Sequence, residues 1–165
     1  MQQVIYQAYA KINWRLAVIG RRPNGYHDLH GLMQSISLCD SICLSASGQD
    51  ECIIRPAIPG LARGDNLAYR AWRLLKGHTC LKDCCRIEIK KRIPTAAGLA
   101  GGSADAAAVL QGANHLFGLG LSVPELKVLG LQLGADVPFC LQGGLALAAG
   151  VGEQLTALPE PPPLY

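Results

Sequence analysis

The sequence predicts an α+β fold, a mixed or antiparallel sheet with helices packed on one face. Three observations carry the prediction. The first third of the 165 residues is a series of extended segments rich in Ile, Val, Leu and Tyr. Arg86 to Lys90 alternates polar and apolar over its whole length, the mark of a strand buried on one face. Segments with helical spacing follow without a regular strand–helix alternation, which argues against a doubly wound α/β sheet.

Taken in order, Val4 to Ala10, Ile12 to Ile19, Met33 to Leu38 and Ser41 to Ser47 read as four strands punctuated by turns. Between the second and third lies RRPNGYHDLHG, whose Pro-Asn-Gly signal places Tyr26, His27 and His30 on a loop. Asp65 is the expected N-cap of a helix through LAYRAWRLLK that stops at Gly77, because Leu67, Ala71, Leu74 and Leu75 recur on one side. A glycine-rich stretch then leads into a helix from Ser103, where alanines give a small-residue face. Ser122-Val-Pro-Glu125 opens another helix with a capping-box pattern, and Gly134 is placed to close it. Proline density makes the tail, residues 159–165, a linker. Residues 1–158 form the domain.

An apolar fraction of 50% with 16% charged residues fits a folded globular chain. The net charge of +3 is too small to imply nucleic acid by itself; Arg21-Arg22 and Lys90-Lys91-Arg92 are local basic clusters that an anionic ligand could use, with solvated surface charge the favoured reading of each alone. The N-terminus lacks a basic segment followed by an unbroken apolar core, and no apolar run reaches the ~20 residues of a membrane span, so a soluble, cytoplasmic protein with no membrane partner is expected. Seven cysteines suit reduced thiols acting as small core hydrophobes. His78, Cys80, Cys84 and Cys85 cluster without the paired C-x2-C knuckles of zinc sites.

Chemistry concentrates in two places. In IPTAAGLAGGSADAAAVL, the glycines Gly98, Gly101 and Gly102 let the backbone approach a ligand, and the free amides of the following helix favour a phosphate, with Ser103 adding a hydroxyl. A tight packing turn would use the same residues, and the two readings stay open. No Lys-Ser/Thr pair follows, so this is not a Walker A loop. Lys11 and Asp136 supply a charge and a proton acceptor of the kind that phosphoryl transfer needs, although their spacing does not require that they meet.

The segments AYAKINWRLAVIGRRPNGYHDLHGLMQSISLCD, DNLAYRA, KKRIPTAAGLAGGSADAAAVL, LSVPEL and LGADVPFCLQGG resemble, in order and spacing, the 4-diphosphocytidyl-2-C-methylerythritol kinase family of the GHMP superfamily. The resemblance covers nearly the whole chain. It implies the fold of a GHMP kinase N-terminal domain, like the second domain of ribosomal S5, and transfer of the γ-phosphate of ATP to the 2-hydroxyl of a cytidine-diphosphate-linked methylerythritol in isoprenoid biosynthesis. Lys11 and Asp136 match the catalytic pair and Asn13 a substrate-holding position, where Asp136 also contacts substrate. Tyr26 and His27 match the cytosine-recognition positions. The resemblance assigns Pro94, Ala97, Gly98, Leu99, Ala100, Gly101, Gly102 and Ser103 to the triphosphate loop and Asn66, Leu67 and Lys91 to the adenine site. Mg2+ is expected with the ATP, with no dedicated protein ligand assigned.

Ala97 and Ala100 stand where many relatives have glycine, and the expectation is that neither site needs a positive φ. Members of the family continue into a C-terminal half, so this chain is expected to be the N-terminal portion, with its partner surface exposed and prone to self-association. Three other readings are a nucleotide-binding piece without catalysis, a homoserine- or mevalonate-type kinase, and an RNA-binding module. The NGYH loop argues against the second, and the weak basic charge against the third.

Overall fold

The computed structural model describes residues 2–21, 27–58, 63–150 and 152–159. Among the described residues six strands form one mixed sheet: β1 (Gln3–Arg21), β2 (His27–Ser47), β3 (Glu51–Arg55), β4 (Cys84–Lys90), β5 (Leu145–Gly150) and β6 (Gln154–Leu158). Four described α-helices accompany it: α1 (Leu67–Thr79), α2 (Gly101–Leu116), α3 (Val123–Leu131) and α4 (Val137–Gln142). Strand β2 is the axis of the sheet. It pairs with β1 along one side, while on the other its residues 41–47 pair with β4 and its residues 29–34 with β5. All pairings are antiparallel except that of β3 with β4.

The four strands expected before residue 48 are two long ones. Register shifts between Tyr9 and Lys11, Asn13 and Arg15, and Val18 and Gly20 absorb the interruptions as bulges, which kink a ladder without ending it. His27 and His30 consequently lie in β2 rather than on a loop; Tyr26 and the side chain of His27 fall outside the described residues, as does the tail beyond residue 159. Strands β3 and β6 and helix α4, none of them singled out in the sequence, are each only five or six residues long.

Asn66, not Asp65, caps α1. Its backbone is extended (φ −69°, ψ 122°) and its side-chain oxygen accepts the Tyr69 amide at 3.1 Å, while Asp65 belongs to the preceding 3-10 turn. The helix runs past Gly77 and ends where Cys80 turns left-handed at φ 53°. At α3 the capping box forms as read, with Glu125 accepting the Ser122 amide at 2.8 Å.

One core cluster joins the helices to the sheet face that carries Ile42, Leu44, Ile87 and Ile89. Trp72 sits at its centre, fully buried, and its indole N–H donates to Asp50 at 2.8 Å. Asp50 also accepts from Lys76 at 3.0 Å and from the Cys85 amide at 3.0 Å. Burial opposes its charge, but these donors outweigh it and hold the carboxyl below its ordinary range. All seven cysteines are free; only Cys85 is fully buried, which pushes its thiol up to about 12, and Cys80 is exposed. No described helix is long and apolar enough to cross a membrane. Strand β1 exposes a row of large apolar residues: Ile5, Tyr9, Trp14, Leu16, Val18 and Ile19.

The small-residue face of α2 lets the helix approach the sheet closely. A Cβ on Gly112 would lie 2.6 Å from Leu44 Cδ1 and 3.2 Å from Tyr6 Cδ2, both in the packed layer beneath. Gly112→Ala is therefore expected to destabilise the fold by about 1–3 kcal/mol despite the better helix propensity of alanine, a loss that urea unfolding measures.

Candidate active site

Three stretches far apart in sequence converge at one end of α2. Lys11 sits just past the first bulge of β1. Ala8 and Ala10 face the helices in ordinary alternation, and the bulge turns Lys11 inward beside Ala10, leaving it 4% exposed. Its ammonium lies 3.1 Å from Asp136 Oδ1 and donates to Asn13 Oδ1 at 3.1 Å. Its backbone amide donates to Leu99 O at 3.1 Å, which fastens β1 to the middle of the glycine loop. Asp136 immediately precedes α4, and the carboxylate is about one third exposed. A Cβ on Gly134 would lie 3.9 Å from Ser103 Oγ, so the first turn of α2 meets the turn that carries Asp136.

The glycine loop borders a cavity of ≈ 340 Å³. Pro94, Ala97, Gly98, Leu99, Ala100, Gly101 and Gly102 line it, and Asn66, Leu67 and Lys91 stand opposite, so the predicted loop and adenine-side residues share one space. Ser103 is outside that lining and faces the Asp136 turn instead. The first amides of α2, beginning at Gly101, have no intrahelical acceptor and mark the end of the helix dipole that favours an anion.

Ala100 caps α2 at φ 56°, and Ala96 has φ 57°; Ala97 keeps an ordinary φ. The expectation that Ala100 needs no positive φ is thus wrong, whereas Ala97 meets it. An alanine Cβ crowds the backbone in this left-handed region at a cost of roughly 1 kcal/mol. Ala100→Gly should stabilise the domain by about 0.5–1 kcal/mol, read from the denaturant midpoint.

Lys91 is not the solvated charge the sequence suggested. Its ammonium is held between Asp40 Oδ2 at 2.5 Å and Asp105 Oδ2 at 2.8 Å, with both carboxylates buried. Asp40 Oδ1 also accepts the amides of Arg92 and, at 2.9 Å, of Ile93. Burial opposes the Asp40 charge, yet those amides and Lys91 hold it below the ordinary carboxylate range. Asp105 lacks such amides, so burial dominates and pushes it up to about 7. Neither aspartate was singled out from the sequence. DAAA inside an alanine helix and CD at the end of a strand stretch carry no local sign that both side chains point inward.

A larger cavity of ≈ 780 Å³ lies between β1 and the α2–α4 pair, with Tyr9, Ser35, Gln111, Cys140 and Gln142 in its wall; it touches neither Lys11, Asp136 nor the glycine loop.

Residues 66–144, a stretch that takes in the glycine loop and Asp136, match the family described as GHMP kinases N terminal domain. Over nearly its whole length the chain is similar to proteins named 4-diphosphocytidyl-2-C-methyl-D-erythritol kinase. It is 48% identical to the protein of that name from Geobacter metallireducens, matching 100% of this chain and 59% of that protein. Against the same-named protein of a Synechococcus strain the identity is 48%, with 97% of this chain and 52% of the relative covered. The chain thus spans little more than half the length of these curated relatives. A solved structure titled 4-(cytidine 5'-diphospho)-2C-methyl-D-erythritol kinase superposes with TM-score 0.80 at 40% identity, over 96% of this chain and 56% of that one. Homoserine kinase from Cytophaga hutchinsonii shares the fold alone, with TM-score 0.73 at 19% identity over 98% of this chain.

Proposed function

We propose that this chain provides the nucleotide-binding and phosphoryl-transfer residues of a kinase that moves the γ-phosphate of ATP to the 2-hydroxyl of 4-diphosphocytidyl-2-C-methyl-D-erythritol. The observation that carries the reading is the Lys11–Asp136 pair, 3.1 Å apart and tied through the Lys11 amide to the glycine loop. A triphosphate on the loop amides would present its terminal phosphate toward Ser103 and the Asp136 turn. Asp136, the more exposed partner, orients the attacking hydroxyl and accepts its proton, while Lys11 stabilises the carboxylate and the developing alkoxide. Asn13 fixes the ammonium from its other side.

Among the described residues no group of three or more His, Cys, Asp or Glu is placed to hold a metal. In this reading magnesium would accompany the nucleotide's phosphates and offset their charge. Recognition of cytosine by Tyr26 and His27 rests on the similarity to the named relatives. The exposed apolar row on β1 supports a covering surface, either the further polypeptide of the longer relatives or a second copy.

The test is phosphoryl transfer from ATP to the cytidine-diphosphate methylerythritol, run beside Lys11→Ala. Turnover that vanishes in the variant is the expected result; ATP binding without turnover in either protein would leave a nucleotide-binding module, and no ATP binding would remove the proposal.

A further inference from the structure

We propose that Asp105 is a positioning residue for the nucleotide: with Asp40 it grips Lys91 so that the two ends of the glycine loop are locked to each other and to the sheet. The inference rests on the nucleotide reading of that loop.

The loop leaves β4 at Lys91 and re-enters regular structure at Gly101. At its entry, the Lys91 amide donates to Arg55 O at 2.8 Å, and the next two amides, of Arg92 and Ile93, both donate to Asp40 Oδ1 on β2. At its exit, Asp105 lies one turn into α2 and takes the Lys91 ammonium at 2.8 Å. Lys91 thus joins entry to exit. The two ends also touch, because a Cβ on Gly101 would fall 2.9 Å from Ile93 Cγ2 and 3.4 Å from Lys91 Nζ. The midpoint is pinned separately by Lys11 N–H to Leu99 O.

Asp105 is a costly way to fill this space. Its residue is 3% exposed, it borders the loop cavity, and its Oδ1 is buried without a hydrogen-bond partner. An aspartate with half its acceptor capacity unused stabilises a core less than an apolar side chain of similar size. What it supplies is geometry: it fixes a cationic side chain in the cavity wall and keeps the loop amides in place before a ligand arrives, which lowers the ordering cost of binding.

The test compares wild type, Asp105→Asn and Asp105→Leu in the intact protein. Asn keeps an acceptor for Lys91, and its ATP dissociation constant should stay within about threefold of wild type, whereas Leu should weaken ATP about tenfold or more. For the Leu variant, KM for the alcohol substrate and kcat at saturating ATP should not move. Unchanged ATP affinity in the Leu variant overturns the clamp, as does equal weakening of both substrates alongside a lower melting temperature, which would make Asp105 a structural residue only. Should the Leu variant not fold, hydrogen exchange in Asp105→Ala, which removes the acceptor with a smaller side chain, decides: faster exchange confined to the amides of 92–102 supports the clamp and unaltered exchange overturns it. Wild type that fails to bind ATP would overturn the nucleotide reading itself, an outcome separate from a wild type that binds and a Leu variant that binds equally well.

Discussion

Asp136→Asn in the intact protein is expected to lower turnover by about 10²- to 10⁴-fold, the range that loss of a positioned proton acceptor produces. The amide keeps the size and the contact surface of the carboxylate, so the variant should fold normally. ATP affinity should be nearly unchanged, because Asp136 stands outside the lining of the loop cavity. The same change removes the charge that offsets the buried Lys11 ammonium and leaves it two neutral side-chain acceptors, the new amide oxygen and Asn13 Oδ1. Lys11→Ala in an Asp136→Asn background should therefore cost far less than Lys11→Ala alone, since residues that act as a unit are not additive. Steady-state kinetics on the four proteins measures this. A large loss of ATP binding in Asp136→Asn would move the residue to the nucleotide side of the site.

Asp40→Ala should be the most disruptive single change to stability, at about 3–5 kcal/mol, the cost of breaking a buried ion pair by removing one partner. Asp40 is fully buried and satisfies Lys91 and the amides of Arg92 and Ile93 together, so its removal leaves a cation half paired and two amides without their acceptor. A loss of this size is a large share of the 5–15 kcal/mol that holds a typical domain together.

The pH dependence follows from the two aspartates with opposite signs. The folded-state pKa of Asp40 is depressed, so its contribution is present above 3.8 and is lost as pH falls through the lower folded value. That of Asp105 is raised to about 7, so the stability it permits is present below 3.8 and declines as pH rises through 7. Urea midpoints between about pH 3 and pH 8 should fall toward both ends. Asp105→Asn should flatten the neutral side and leave the acid side in place.

Local chemistry made much of this molecule legible. Alternation in Arg86–Lys90 marks β4 because one sheet face is buried and the other is not. Helix α3 announces itself through Ser122, Pro124 and Glu125, whose roles depend only on neighbours within one turn. The glycine loop was also visible, since its glycines and the helix start that follows are adjacent in sequence. The bounds of α1 were less so: Asn66 and Asp65 are both good capping residues, and which one caps depends on where the preceding turn sets the backbone.

By itself, then, the sequence determined the α+β class, the loop, and the resemblance that named Lys11, Asp136 and the residues of the loop cavity, because these rest on short-range pattern or on contiguous motifs. Only the tertiary structure decided that Lys11 and Asp136, 125 positions apart, stand 3.1 Å from each other. It alone turned Lys11 inward, through a bulge that breaks the period-2 rule by which burial is read from a strand. It also converted Lys91 from an apparent surface charge into the centre of a buried triad. Asp40 and Asp105 lie 51 and 14 residues from that lysine, and nothing in a linear pattern records which side chains meet once a sheet and a helix have packed.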